Sequence, residues 1–350
     1  DSAINQTKLY FYDVNLKANY RLGENDRIFL SGYFGRDVSG FGDAFGIEWG
    51  NMTGTARWNH IYNDKLFSNV TLVYSDFDYF LGTEDSQFGF RWDSYIKDLT
   101  LKADYSYFLN PNNTLRFGCI ATKHELDPGY ARSTGDNALF DELRIPISNA
   151  MEYGLYLSNE QSISDRFTAI YGLRYSAFHN IGEGSVWNYD AEFNPIDSAV
   201  YGKNEVYKRY NSWEPRVGMN FRINAVSSVK ASYNRTTQYL HLASNSTASS
   251  PLDIWFASSP NIKPQNADQW AIGYFRNFND NTIEASAELY YKDMNNAIDF
   301  KDHAALLLNK HLDGELRFGD ARAYGLELMV RKQQGSVTGL VSYTLSKSEK

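Results

Sequence analysis

No apolar run in this chain approaches the roughly 18–20 residues a membrane-crossing helix needs, which excludes helical spans. The single cysteine, Cys119, excludes an internal disulfide framework and any cysteine-based zinc site. It lies in Leu115-Arg116-Phe117-Gly118-Cys119, on the apolar phase of an alternating run, and reads as a small hydrophobe. Positive charge is also in short supply. The formal net charge is −8, which argues against nucleic acid as a partner, since phosphate binding needs a basic face. No H-E-x-x-H, G-x-S-x-G or phosphate-binding glycine loop occurs. The six histidines, His60, His124, His179, His241, His303 and His311, are scattered without a helical i, i+4 pair. No catalytic residues, metal site or cofactor are expected, and the chain reads as not an enzyme.

What the chain does have is aromatic residues and alternation. Tyr 26, Phe 22 and Trp 7 make 16% of the sequence. From Thr282 to Lys292, Ile283, Ala285, Ala287, Leu289 and Tyr291 fall on one phase, and Thr282, Glu284, Ser286, Glu288, Tyr290 and Lys292 on the other. A strand sends successive side chains to opposite faces, so one face is apolar and the other polar. These 11 residues exceed the ~5–6 usual for a soluble strand and match the ~9–11 of a tilted transmembrane strand. A mean hydropathy of −0.49 suggests a soluble chain, but barrel strands hold the average low because only every second residue is apolar. The competing reading is a large soluble β protein with a tyrosine-rich binding face.

The same alternation predicts seven hairpins, over residues 10–20 and 28–37, 49–61 and 66–79, 99–109 and 115–123, 153–163 and 167–178, 217–223 and 229–236, 270–274 and 282–292, and 324–331 and 337–345. Each turn is built from Asn, Asp, Gly, Ser or Pro, which supply local hydrogen bonds or positive φ. Between hairpins lie the much longer stretches 127–150, 181–212, 243–267 and 301–320. Short turns at one end and long loops at the other are the rhythm of an outer-membrane barrel. Sandwiches and propellers do not hold all long loops at one end. The expected fold is all-β, an antiparallel transmembrane β-barrel with about 14 strands present, against roughly 8–26 in known barrels of this kind.

The polar phase carries Lys17, Arg57, Lys102, Asp104, Arg174, Arg216, Lys230, Glu284, Glu288, Glu327 and Arg331. An Arg or Lys facing lipid at the midplane costs about 2–4 kcal/mol. That phase therefore looks inward, with Lys102, Arg174, Arg216, Glu284, Glu288 and Glu327 expected to line a wet or polar-plugged lumen. Tyr105, Tyr107, Tyr153, Tyr175, Tyr233 and Tyr343 are expected on the outer face as interfacial girdles.

Several stretches resemble the barrel of TonB-dependent outer-membrane receptors. They include Asn261-Ile262-Lys263-Pro264-Gln265, Gln269-Trp270-Ala271-Ile272-Gly273-Tyr274, Glu288-Leu289-Tyr290-Tyr291-Lys292 and Ala297-Ile298-Asp299-Phe300. Tyr324-Gly325-Leu326-Glu327-Leu328, Gly339-Leu340-Val341-Ser342-Tyr343-Thr344-Leu345-Ser346, Arg57-Trp58-Asn59-His60 and Ser31-Gly32-Tyr33-Phe34-Gly35-Arg36-Asp37 add to the likeness. The resemblance implies a barrel of about 22 strands closed by an N-terminal plug, set in the outer membrane of a Gram-negative cell. Its partners would be the TonB energy-coupling protein (acting through the plug), outer-membrane lipids and a small-molecule ligand. Residues 1–350 are then expected to be a partial barrel domain, without the plug or the last strands.

Two loops are candidate ligand sites. The first, 181–213, carries Trp187, Tyr189, Phe193, Tyr201, Tyr207, Tyr210 and Trp213 beside Glu183, Asp190, Glu192, Asp197 and Glu205. Flat rings with polar tips suit chelates, sugars or planar cofactors. The alternative is that they pack the loop against its neighbours and the lipid headgroups. The second, 249–264, sets Trp255 and Phe256 between Pro251 and Pro260, either folded into the barrel mouth or packed on its rim. The expected function is TonB-coupled import of a scarce ligand, a siderophore or other metal chelate being favoured. A passive porin or surface-binding barrel is the alternative. A barrel hydrolase, with acids and histidines on strand rims, comes third.

Overall fold

The computed structural model describes residues 7–42, 45–83, 87, 89–137, 141–244, 253–305 and 309–350. In chain order the strands are β1 (Thr7–Arg21), β2 (Asp26–Phe41), β3 (Phe45–Asn63), β4 (Leu66–Thr83), β5 (Phe90–Asn110), β6 (Asn113–Ser133), β7 (Leu143–Arg144), β8 (Ser148–Ser164), β9 (Phe167–Ile181) and β10 (Gly184–Tyr189). There follow β11 (Pro195–Tyr201), β12 (Val206–Asn224), β13 (Ser227–Gln238), β14 (Leu240–Ser244), β15 (Asp253–Ala257), β16 (Gln265–Phe278), β17 (Ile283–Phe300), β18 (Leu316–Lys332) and β19 (Gly339–Glu349). The only helical element among the described residues is one 3-10 turn, Leu312–Glu315.

One sheet carries the path β1-β2-β3-β4-β5-β6-β8-β9-β12-β13-β16-β17-β18-β19, with β7 added at the end of β6. Every neighbouring pair on the path is antiparallel. All seven expected hairpins are present, and the fold is the expected all-β, antiparallel one. The strands run further than the alternation suggested, especially towards the long loops, where the ladders continue after the apolar phase has ended. Two ribbons, β10–β11 and β14–β15, lie off the sheet in regions expected to be plain loops.

The two faces differ in chemistry as the alternation requires. On the outer face Tyr233, Trp270, Tyr291 and Tyr324 are successive cross-strand partners. Their ring centroids are 5.4, 6.0 and 6.3 Å apart, making one continuous belt near the long loops. Tyr62, Tyr105 and Phe117 make a second belt near the short turns, at 6.5 and 5.1 Å. Exposed Leu72, Leu101, Leu155, Leu157, Ile272 and Leu289 lie on the outer face between these belts, together with Cys119. Interfacial aromatics bracketing an apolar band is the pattern of a lipid-facing wall.

The inner face holds the charges, mostly in pairs. Lys102 reaches Asp104 at 3.0 Å, and Arg331 lies 3.9 Å from Glu284. Arg174 bridges Glu152 at 3.2 Å and the buried Glu214 at 3.6 Å, while Arg216 lies 3.6 Å from the other oxygen of Glu214. Glu288 and Glu327 are direct cross-strand neighbours on the same face.

Candidate functional site

The long loops fold into a packed cap over one end of the sheet. Its centre is the ribbon β14–β15, in which His241, Ala243, Ile254 and Phe256 share one buried face. That face packs with Leu81, Trp92 and Ala131 from β4, β5 and β6, and with Ile298, Leu312 and Leu316 from β17, the 3-10 turn and β18. β14 contacts β17 and β15 contacts β6, strands six places apart along the sheet. The ribbon therefore spans the mouth from wall to wall. Gly129 is needed on one flank, where the Trp92 indole lies so close that a Cβ would meet it at 2.1 Å.

Polar anchors fix the cap to β9 and β12. Asn180 Nδ2 donates to the Ser258 carbonyl at 2.7 Å, and Tyr210 Oη donates to the Ser259 carbonyl at 2.8 Å. Ser176 and Tyr239 hydroxyls lie 2.9 Å apart, with the Tyr239 ring stacked on Phe178 at 5.0 Å. His241 is 1% exposed, and its Nε2 meets Ser258 Oγ at 3.0 Å while Nδ1 has no partner. Burial pulls its pKa down to about 4, so the ring is neutral at ordinary pH.

Within the cap is a cavity of about 70 Å³, lined in part by Trp187, Tyr189, Tyr207, Phe256, Lys310 and Asp313. Liquid water takes about 30 Å³ per molecule and a ligand pocket runs to about 300–1,000 Å³. The space holds a couple of waters and no chelate. Asp313 sits deep in the cap, and the surface it retains lines this cavity. Burial raises its pKa, opposed by the hydrogen bond from Asn261 Nδ2 at 3.0 Å. Burial likewise pushes the Tyr189 phenol up. His311 packs edge-on to Trp187 at 4.4 Å, and its pKa is lowered by burial and then by Lys310. The Lys310 ammonium stands 5.4 Å from the centre of the Trp187 ring. The arrangement combines flat rings with one cation and a carboxyl whose charged form burial disfavours, a chemistry that stacks and hydrogen-bonds.

The structure brings Trp187, Tyr189, Tyr207 and Phe256 to this cavity. Tyr201 stacks on Tyr207 at 4.3 Å just beside it. Trp255 packs against the second buried cluster, formed by Leu126, Ala150, Phe178, Tyr239 and Ala257. Residues 249–252 of the second candidate loop lie outside the described residues; 254–257 are in the mouth. Trp213 belongs elsewhere. It is 59% exposed on the outer face and packs in a tilted arrangement at 4.8 Å from Tyr175, its cross-strand partner. It is a lipid-belt residue and leaves the mouth set. Lys102, Arg174, Arg216, Glu284, Glu288 and Glu327 all stand on the inner wall, away from the cavity. The sequence reading gives Lys310, Asp313, Asn261 and His311 no part in a ligand site. Their one advance signal is the proximity of Lys310 and His311 to Asp313 in one loop.

Comparison with known proteins agrees with this geometry. Residues 2–350 match the family described as TonB dependent receptor-like, beta-barrel. The chain is 26% identical over 174 residues to the TonB-dependent heme receptor A of Haemophilus influenzae (strain 86-028NP), a match covering 45% of this chain and 21% of that receptor. Its fold is that of the copper transporter OprC, with a TM-score of 0.68 and 16% identity, covering 98% of this chain and 53% of that one. The closed form of the ferric-catecholate import receptor Fiu from E. coli K12 gives a TM-score of 0.65 at 15% identity, covering 99% and 59%. The chain thus spans little more than half of these solved relatives and about a fifth of the curated one.

Proposed function

The chain belongs to the TonB-dependent receptor β-barrel family of the Gram-negative outer membrane, and we propose that it forms the wall and mouth of an energised importer of a scarce ligand, a siderophore or other metal chelate. The observation that carries this reading is the cap. β14–β15 crosses the mouth from β6 to β17, and the pocket that its Phe256 and Ala257 form with the loop rings measures about 70 Å³. A passive pore conducts through an open lumen, whereas a receptor can hold its mouth closed until binding energy or an energy input opens it. Trp187, Tyr189, Tyr201 and Tyr207 supply stacking surfaces, and Lys310 supplies a cation for an anionic chelate. The ligand would bind as the cap shifts, and a plug segment contacted by TonB would couple release to energy from the inner membrane. Similarity to a haem receptor, a copper transporter and a ferric-catecholate receptor supports a metal-bearing ligand.

The test is growth of a strain lacking the full-length receptor on a panel of ferric siderophores, haem and copper chelates as sole metal source, with plant and host glycans as sole carbon source in parallel. Loss of growth on a metal chelate, restored by the receptor gene, is expected. Loss confined to a glycan, or no loss on any source, overturns the ligand assignment.

A further inference from the structure

The ribbon β10–β11 has one face in the cap and one strand at large. β10 is held in place: Val186 is buried, Trp187 packs on His311, and the Trp187 carbonyl accepts from Asn261 Nδ2 at 2.9 Å. β11 touches the rest through Tyr201, stacked on Tyr207, while its other side stands clear. Ile196 is 66% and Val200 79% exposed, with exposed Ser198 between them on the same side of the strand. Among the described residues β11 pairs with β10 alone, and no backbone hydrogen bond leaves its other edge.

An unpaired edge presents a row of N–H and C=O groups that an extended chain can join, and natural proteins usually blunt such edges with charge, proline or a covering segment. Here Pro195 opens the strand, but Ile196 and Val200 offer apolar contacts at alternate positions. The ribbon's own charges are mostly acidic, Glu183, Asp190, Glu192, Asp197 and Glu205 against Lys203 over residues 183–205, and the nearby cations Lys310 and Arg317 lie over the Trp187 and Phe193 rings of β10 and the turn. Pairing with a second copy would set Ile196 against Val200, but it would bring two acidic ribbons together. The charge favours a basic strand instead.

We propose that the free edge of β11 is a docking edge for a protein partner at the cell surface, which adds an extended, lysine- or arginine-rich segment to the ribbon as a third strand. Apolar residues at every second position of that segment would lie against Ile196 and Val200, and its intervening basic residues against Asp197 and the acidic rim. This inference does not rest on the import reading, because Ile196, Ser198 and Val200 do not line the cavity, and Tyr201, the β11 residue beside it, takes no part in the docking.

The experiment uses the full-length receptor in nanodiscs and a fluorescein-labelled ten-residue peptide of alternating valine and lysine. A second peptide has the same charge, with prolines at two central valines. Saturable anisotropy binding of the first peptide is expected, weakened roughly tenfold or more in the proline peptide, which cannot form the ladder. The receptor carrying Ile196→Asn and Val200→Asn keeps its net charge and its heat-modifiable mobility, and should bind roughly fivefold or more weakly. No binding, equal binding of the proline peptide, or unchanged binding by the double variant overturns the proposal. So does a receptor dimer, seen without peptide, that the double variant abolishes, because the edge would then serve a second copy.

Discussion

His241 and Ser258 meet across the root of the cap, with Nε2 3.0 Å from Oγ, and the same Ser258 takes the Asn180 amide on its carbonyl at 2.7 Å. The histidine thus ties the mouth ribbon to its base while remaining uncharged. Its folded pKa, about 4, lies below its ordinary 6.5. The unfolded or opened cap therefore binds a proton that the closed cap does not. Stability from this group is fully present above pH 6.5 and is lost as pH falls towards 4, up to about 3 kcal/mol. Asp313, whose pKa is raised, acts in the opposite sense: its contribution is present at low pH and fades as pH rises through its folded value. Spin labels at Leu242 and Lys123 should show a broadened, longer distance on acidification from pH 7.5 to 5. His241→Phe should flatten that response. A distance independent of pH in the unaltered receptor would contradict the assignment.

The buried Glu214 is held between Arg174 and Arg216. Arg174→Met strips one partner from a carboxylate that has left water, and should destabilise the barrel by about 3 kcal/mol. Adding Glu214→Leu should restore most of that loss, because the unpaired charge goes with it. Urea unfolding in bilayers measures both, and an additive double variant would show that the pair is not coupled.

The assignment of faces predicts opposite responses to one substitution. Leu289→Arg puts a cation on the outer face below the Tyr291 belt and should cost about 2–4 kcal/mol. Ser286→Arg, on the inner wall, should cost under about 1 kcal/mol. Equal costs would remove the membrane reading of the sheet.

In the mouth, Trp187→Ala and Lys310→Glu should each weaken binding of the transported chelate roughly tenfold, through lost stacking and reversed charge. Trp213→Ala, on the lipid belt, should leave affinity unchanged while lowering the thermal midpoint of the barrel. Isothermal titration and thermal scans of the same three proteins separate the two roles.

Most of the fold was legible because two local codes agreed. Period-2 alternation set the faces, and Asn, Asp, Gly and Ser at the short turns set the hairpins. Gly335, at φ +106°, shows the turn code at the last of them. The ribbons in the long loops were not legible, because their partners are distant. Asn180 and Ser258 are 78 residues apart, and the packing of Phe256 against both walls has no local signature. Asp313 and Asn261 likewise acquire meaning only when residues 52 apart meet. Trp213 is different: it shares a phase with Val217, Met219 and Phe221, so extending the strand backwards by four residues would have put it on the lipid face. Composition of the loop outweighed periodicity there, and periodicity was the better guide.

The central proposal is that a ligand bound at the mouth enters the cell only at the expense of energy delivered from the inner membrane. Uptake of the radiolabelled chelate identified by the growth panel should be measured in cells with the full-length receptor, with and without the energy-coupling protein. The account predicts that surface binding persists and accumulation stops when the coupler is removed. Continued accumulation at an undiminished rate would contradict it.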